Sequence, residues 1–131
     1  MVEYRKVLEL SPDYSWAYFN IAQIYWELDR VDDAIVMLKK ALEKNPKDSE
    51  AVKLIVQIYI QQEKIEEALE LLTEFTKNNE NADAYYLMSR IFEIMGDDSS
   101  RKDCLELALE YQKTLTFNLE TIRKEYREIV K

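Results

Sequence analysis

Five glutamates, Glu63, Glu66, Glu67, Glu70 and Glu74, crowd one short stretch of this chain. Carboxylates so close could hold a metal ion or share a proton between an acid and a base. Their spacing argues otherwise. On a helix most of them fall opposite Ile65, Ala68, Leu69 and Leu72, which is where a solvated face belongs. The other ingredients of chemistry are missing. There is no His, hence no proton shuttle near neutral pH and no imidazole ligand. Cys104 is the only Cys and has no imidazole to activate it. One Gly cannot build a phosphate-cradling loop. The chain reads as a non-enzyme with no cofactor, no catalytic residue and no metal site.

The residues that remain must be positioned by elements, and composition points to helices. The chain has 131 residues, 47% hydrophobic and 34% charged, with one Gly and two Pro. So few chain breakers argue against an all-β fold, and Leu, Ala, Glu and Lys favour helix. The net charge of −8 is spread along the chain without a tail or a basic patch. That makes a nucleic-acid surface a poor expectation. It suits a basic or apolar partner, or serves solubility alone. A lone Cys, no leader pattern and no long apolar run point to the cytoplasm and away from a membrane. Cys104 lies in an amphipathic stretch and is expected to be a small, buried or half-buried apolar residue.

Two phrases nearly repeat: AYFNIAQIYW from Ala17 to Trp26, and AYYLMSRIFE from Ala84 to Glu93. Ile21, Ala22, Ile24, Tyr25 and Leu28 share one helix face, and a break follows at Asp29-Arg30. Val31, Ala34, Ile35, Leu38, Ala41 and Leu42 make a second helix that stops at Asn45-Pro46. The hairpin recurs. Val52, Ile55, Val56 and Tyr59 follow Tyr18, Ile21, Ala22 and Tyr25 at a spacing of 34, and Tyr85, Met88, Ser89 and Phe92 follow after 33 more. Ala68, Leu72 and Phe75 likewise follow Ala34, Leu38 and Ala41.

A helix pair of this period, with this order of large, small and aromatic positions, resembles the tetratricopeptide repeat (TPR). Tyr18 stands where that family usually has Trp, Ile21 at its Leu, Ala22 at its small residue and Tyr25 at its aromatic. Ala34, Leu38, Ala41 and Pro46 match the second helix and its close. The match weakens along the chain, with Val56 at the small slot, Phe75 at the later Ala slot and Glu80 where Pro would close. Glu63 sits at the turn where Gly is common, whereas the third copy keeps Gly96. Arg101 falls at an Ala slot, so either the helix packs loosely there or "DDSSRKD" shifts the frame. The resemblance implies an all-α, right-handed TPR superhelix in one domain. Its expected parts are the second helix of a partial repeat at 1–12, repeats at 13–47, 48–81 and 82–112, and a C-terminal extension or cap at 113–131. The first residues start in helical pattern with no cap, which suggests a piece cut from a longer chain.

From about Arg101 to Val130 there is no Gly and no Pro. Leu105, Ala108, Gln112, Leu115, Leu119, Ile122, Tyr126 and Ile129 recur at spacings of three and four. The expectation is one extended C-terminal helix. Three things could cover its seam: a kink that folds the far half back as a cap, a second copy meeting Leu115, Leu119, Ile122, Tyr126 and Ile129, or parts lying outside this sequence.

By the resemblance, the first helix of each repeat lines a concave groove. The face away from Ile21 and Tyr25 carries Trp16, Phe19, Gln23 and Trp26, bordered by Glu27. The equivalent positions hold Lys53, Gln57, Ile60 and Gln61, then Tyr86, Arg90 and Glu93. Aromatic residues and Arg anchor interfaces, and amides can hydrogen-bond a peptide backbone. The two Trp could instead pack on the helix expected over 2–10 or on a repeat upstream of this sequence. Some family members grip a chaperone's C-terminal carboxylate with Lys, Asn and Arg. Here those slots hold Phe19, Gln23, Leu54, Asp83 and Leu87, so that mode is not expected. The functional expectation is a scaffold that binds a protein or peptide in its groove. The alternative is a self-assembly module that dimerises through the C-terminal helix.

Overall fold

The computed structural model describes residues 15–130. The helix expected over 2–10 lies outside them. Among the described residues there are seven α-helices and no strand. The chain divides into two compact units, Met1–Ile58 and Tyr59–Lys131.

In the first unit α1 (Ser15–Glu27) packs against α2 (Val31–Lys44). The predicted spacing supplies the contact: Ala17, Ile21, Ala22 and Tyr25 on α1, and Ala34, Ile35, Leu38 and Ala41 on α2, are all buried. The helix α3 (Ser49–Gln61) begins in this unit, where Asp48 Oδ1 accepts from the Ala51 N–H at 3.1 Å.

The second unit contains α4 (Ile65–Asn78), α5 (Ala82–Met95) and α6 (Asp98–Glu110). A 3₁₀ turn (Gln112–Thr114) and α7 (Leu119–Ile129) follow. Sequential helices pack together, α4 on α5, α5 on α6 and α6 on α7.

All three helical hairpins turn by one device. Asp29, Glu63 and Gly96 have φ of 62°, 61° and 76°. The next N–H, of Arg30, Lys64 or Asp97, reaches back to the carbonyl of Tyr25, Tyr59 or Phe92 at 2.8, 2.8 and 2.9 Å. This left-handed helix stop satisfies carbonyls the helix leaves open. Only the third uses Gly, the residue that adopts positive φ without cost.

The question posed at "DDSSRKD" resolves without an insertion. The second helices start at Val31, Ile65 and Asp98, which keeps the repeat spacing. Asp97 caps α6, accepting from the Ser100 N–H at 3.1 Å and the Ser100 hydroxyl at 2.8 Å. Arg101 occupies its Ala slot with the stem packed and the guanidinium 3.0 Å from Glu93.

The expected single helix from 101 to 130 is not what forms. It ends at Glu110, and residues 115–118 are not helical. Asn118 then starts α7 by accepting from the N–H groups of Glu120 and Thr121 at 2.9 and 3.2 Å. Thr114, Thr116, Phe117 and Asn118 are all indifferent helix formers, and Asn is a preferred cap. The seam is thereby folded back on itself. Ile122 is fully buried with Leu105, Ala108 and Tyr86, and Leu115, Phe117, Tyr126 and Ile129 pack around them.

Candidate functional site

On α1, Trp16, Phe19, Gln23 and Trp26 recur at intervals of three and four and so share a face. Trp16 leaves 50% of its surface exposed, Gln23 is exposed, and Phe19 and Trp26 are half-buried. On α3, Lys53 is half-buried and paired with Glu50 at 2.8 Å, while Gln57 and Gln61 are exposed. The Lys53 charge is therefore partly neutralised from within its own helix.

In the second unit Arg90 is exposed, but Tyr86 is not the open anchor the sequence suggests. It is 6% exposed. Phe117 covers it, with ring centres 5.1 Å apart and planes at 60°. Leu105, Ala108 and Ile122 complete the enclosure. Burial raises the phenol's pKa first, and a hydrogen bond to Glu125 adds to it. The physical reason for the difference is α7, which lies on a face that the extended-helix expectation left open.

Contacts that the sequence does not predict hold this arrangement. Asp83 is 1% exposed and stands in the first turn of α5. It accepts the Thr116 N–H at 2.7 Å and the Thr116 hydroxyl at 2.5 Å. The Ala82 N–H donates to Thr114 Oγ1 at 2.7 Å. A negative side chain and hydroxyl acceptors at a helix N-terminus also suit its dipole. Tyr126 donates to Glu106 at 2.7 Å, and Tyr85 stacks on Tyr111 at 5.8 Å. One signal was in the sequence all along. Leu119, Ile122 and Tyr126 follow Tyr85, Met88 and Phe92 at a spacing of 34, so α7 carries the pattern of a first helix.

The five glutamates Glu63, Glu66, Glu67, Glu70 and Glu74 are all exposed. Among the described residues no group of His, Cys, Asp and Glu could hold a metal ion. Cys104 is buried, as expected, and its thiol is pushed up to about 11 by burial, with Asp103 and Asp97 adding to it. No described helix is long and apolar enough to cross a membrane.

Family models described as tetratricopeptide repeat match residues 1–58, 30–91 and 82–114. The chain belongs to the tetratricopeptide repeat family. Its fold is an all-α TPR solenoid, an architecture that typically serves as a non-enzymatic protein-interaction scaffold. Solved TPR structures resemble it closely in fold. YrrB, described as a TPR protein with an unusual peptide-binding site, is 20% identical with a TM-score of 0.72, over 97% of this chain and 64% of that one. PilF of Pseudomonas aeruginosa is 18% identical with a TM-score of 0.76, over 98% and 58%. The first TPR domain of Spaghetti (RPAP3), bound to the HSP90 peptide SRMEEVD, is 18% identical with a TM-score of 0.68, over 88% and 90%. The chain thus spans less than two thirds of YrrB and of PilF. No curated protein matched the sequence.

Proposed function

We propose that this TPR chain is a non-enzymatic interaction module that holds a peptide segment or a partner helix on the exposed face of its first helices. Within the first unit that face is Trp16, Phe19, Gln23 and Trp26 on α1, with Lys53 and Gln57 on α3. The observation that carries the reading is Trp16, a large aromatic half exposed on the same helix face as an exposed amide. Such a pair offers apolar area with little rotamer entropy to lose, and a group that can bond a backbone. Gln61 and Arg90, both exposed, carry the same chemistry on first helices further along the chain. These residues lie on α1, α3 and α5, which we read as the first helices of repeats at 13–47, 48–81 and 82–112.

The ligand differs from the acidic tail bound by Spaghetti. Phe19, Gln23, Leu54, Asp83 and Leu87 offer no cation at the slots such a tail needs, and the Asp83 carboxylate is committed to Thr116. A partner that is neutral or basic suits the net charge of −8.

The test is selection from a random peptide library displayed on phage, using the full chain. Selected peptides should bind with about micromolar affinity and weaken roughly tenfold or more in a Trp16→Ala, Gln57→Glu variant that keeps the native circular dichroism. Peptides that bind the variant as well as the native chain would remove this face from consideration.

A further inference from the structure

The outer face of α1 changes character along its length. Trp16, Phe19, Gln23 and Trp26 rise in steps of about 4.5, 6 and 4.5 Å, so the two indoles stand roughly 15 Å apart with one amide between them. Glu27, the last residue of α1, is its only charged residue. It follows Trp26 directly and lies one helical turn beyond Gln23. Asp29 comes two residues later, and both carboxylates are exposed. Among the described residues neither makes an ion pair. The nearby cation, Arg30, is occupied by Asp33 at 2.8 Å and by the Tyr25 ring at 4.7 Å. The negative end of the helix dipole falls at the same place. The face is therefore aromatic and uncharged at Trp16, and aromatic and negative at Trp26.

Such a face selects among peptides. A helix bonds its own backbone and presents no main-chain group to Gln23. An ordinary extended strand has an N–H and a C=O at every residue, and laying it on aromatic rings strips both of water. One amide cannot replace those bonds. A proline-rich segment meets neither limit. Pro has no N–H, its ring is apolar, and its carbonyl stays open to a donor such as the Gln23 amide. The segment already holds polyproline II geometry before it binds, so little freedom is left to lose. One turn of that helix advances about 9.3 Å, close to the roughly 10.5 Å rise from Phe19 to Trp26.

We propose that α1 takes a proline-rich segment in polyproline II form that ends in a Lys or Arg. Proline rings lie on Trp16 and Phe19, a carbonyl of the segment accepts from the Gln23 amide, and the cation rests against Trp26 beside Glu27. The proposal depends on peptide binding by α1 and narrows it to one ligand class. At ~3.1 Å per residue, about five residues separate the first docked proline from the cation. Trp is the aromatic ring that attracts a cation most strongly, and Glu27 and Asp29 supply the complementary charge. That charge also fixes the direction of the segment, because the Trp16 end of α1 offers a cation nothing.

The two indole N–H groups provide the readout. The full chain, labelled with nitrogen-15, is titrated with a peptide of six prolines followed by two arginines, and a Trp26→Phe form assigns the two indole signals. Three control peptides replace the arginines by glutamates, replace the prolines by a glycine-serine repeat, or carry the arginines on an amphipathic helix. Both indole signals should shift with the first peptide at a Kd of about 100 micromolar or tighter, and each control should bind roughly tenfold more weakly. Added salt should weaken the first peptide on the native chain and do so less on a Glu27→Gln chain. The glutamate control is read on the native chain, so the test does not depend on how any variant folds. A helical or glycine-serine peptide that binds as tightly as the proline peptide overturns the proposal. So do arginine and glutamate peptides that bind alike, or a salt dependence unchanged by Glu27→Gln. If the proline peptide moves neither indole while library-selected peptides do, the proposal falls and peptide binding by α1 stands. If no peptide moves them, both fall.

Discussion

Replacing Asp83 by Ala should loosen the end of this protein more than any single surface change. The carboxylate is almost wholly buried and accepts two bonds from Thr116, at 2.7 Å from the N–H and 2.5 Å from the hydroxyl. Hydrogen bonds to a charged group contribute about 1.5–3 kcal/mol each. The two are not additive, and removing the carboxylate also removes the cost of burying it. Thr116 is exposed and can turn to water once released. The net cost is therefore about 2–4 kcal/mol, carried by the second unit alone. Hydrogen exchange of the α7 amides is the suitable assay, because it reads local opening in a repeat protein where global unfolding need not be two-state. Asp83→Ala should raise exchange across 115–129 by roughly 30-fold or more and leave α1 and α2 unchanged. Asp83→Asn keeps one acceptor and should fall between. If Asp83→Ala leaves α7 protection within a factor of two of native, the Thr116 bonds do not hold the cap, and its docking rests on the contacts of Ile122, Phe117 and Tyr126 instead.

Three further expectations come from the turns, the thiol and the buried phenols. Glu63 is held at φ 61° in a turn where Gly96 adopts φ 76° freely. Relief of that left-handed strain, less the entropy a Gly adds to the unfolded chain, should make Glu63→Gly more stable by about 0.5–1 kcal/mol, seen as a higher urea midpoint at constant slope. Cys104, at about 11, should resist alkylation in the native state. At pH 8 its thiolate is only roughly one part in a thousand, so rapid native labelling would contradict its burial. The sign for stability follows from the raised value. A thiol and phenols whose folded pKa exceeds the unfolded one favour folding in full below about pH 8.5. That contribution falls as pH rises toward 11, and the raised Tyr85 and Tyr86 act in the same direction. Circular dichroism melts across that range should show a falling midpoint.

The helical hairpins were legible because their signals are local. Ile21, Ala22 and Tyr25 on one helix and Ala34, Leu38 and Ala41 on the next bury as their spacing demands, and the same spacing recurs further along. A period near 3.6 selects helix and face within one segment, without reference to distant residues. Asn45-Pro46 and Gly96 mark ends for equally local reasons, and the absence of His rests on composition alone. The aromatic and amide face of α1 could be named from the sequence, since it is what remains once the core face is assigned.

The C-terminal region was different. Spacings of three and four are satisfied equally by one long helix and by two helices folded together, because periodicity records which residues share a face and not what the face meets. The sequence by itself therefore determined that Leu105, Ala108, Ile122 and Tyr126 would be covered. Only tertiary contacts decided by what. Thr116 finds Asp83 from 33 positions away, and Phe117 finds Tyr86 from nearly as far. Those long-range contacts hold a bend that the indifferent helix formers Thr114, Thr116, Phe117 and Asn118 permit, and they convert Tyr86 from an expected ligand anchor into part of the core.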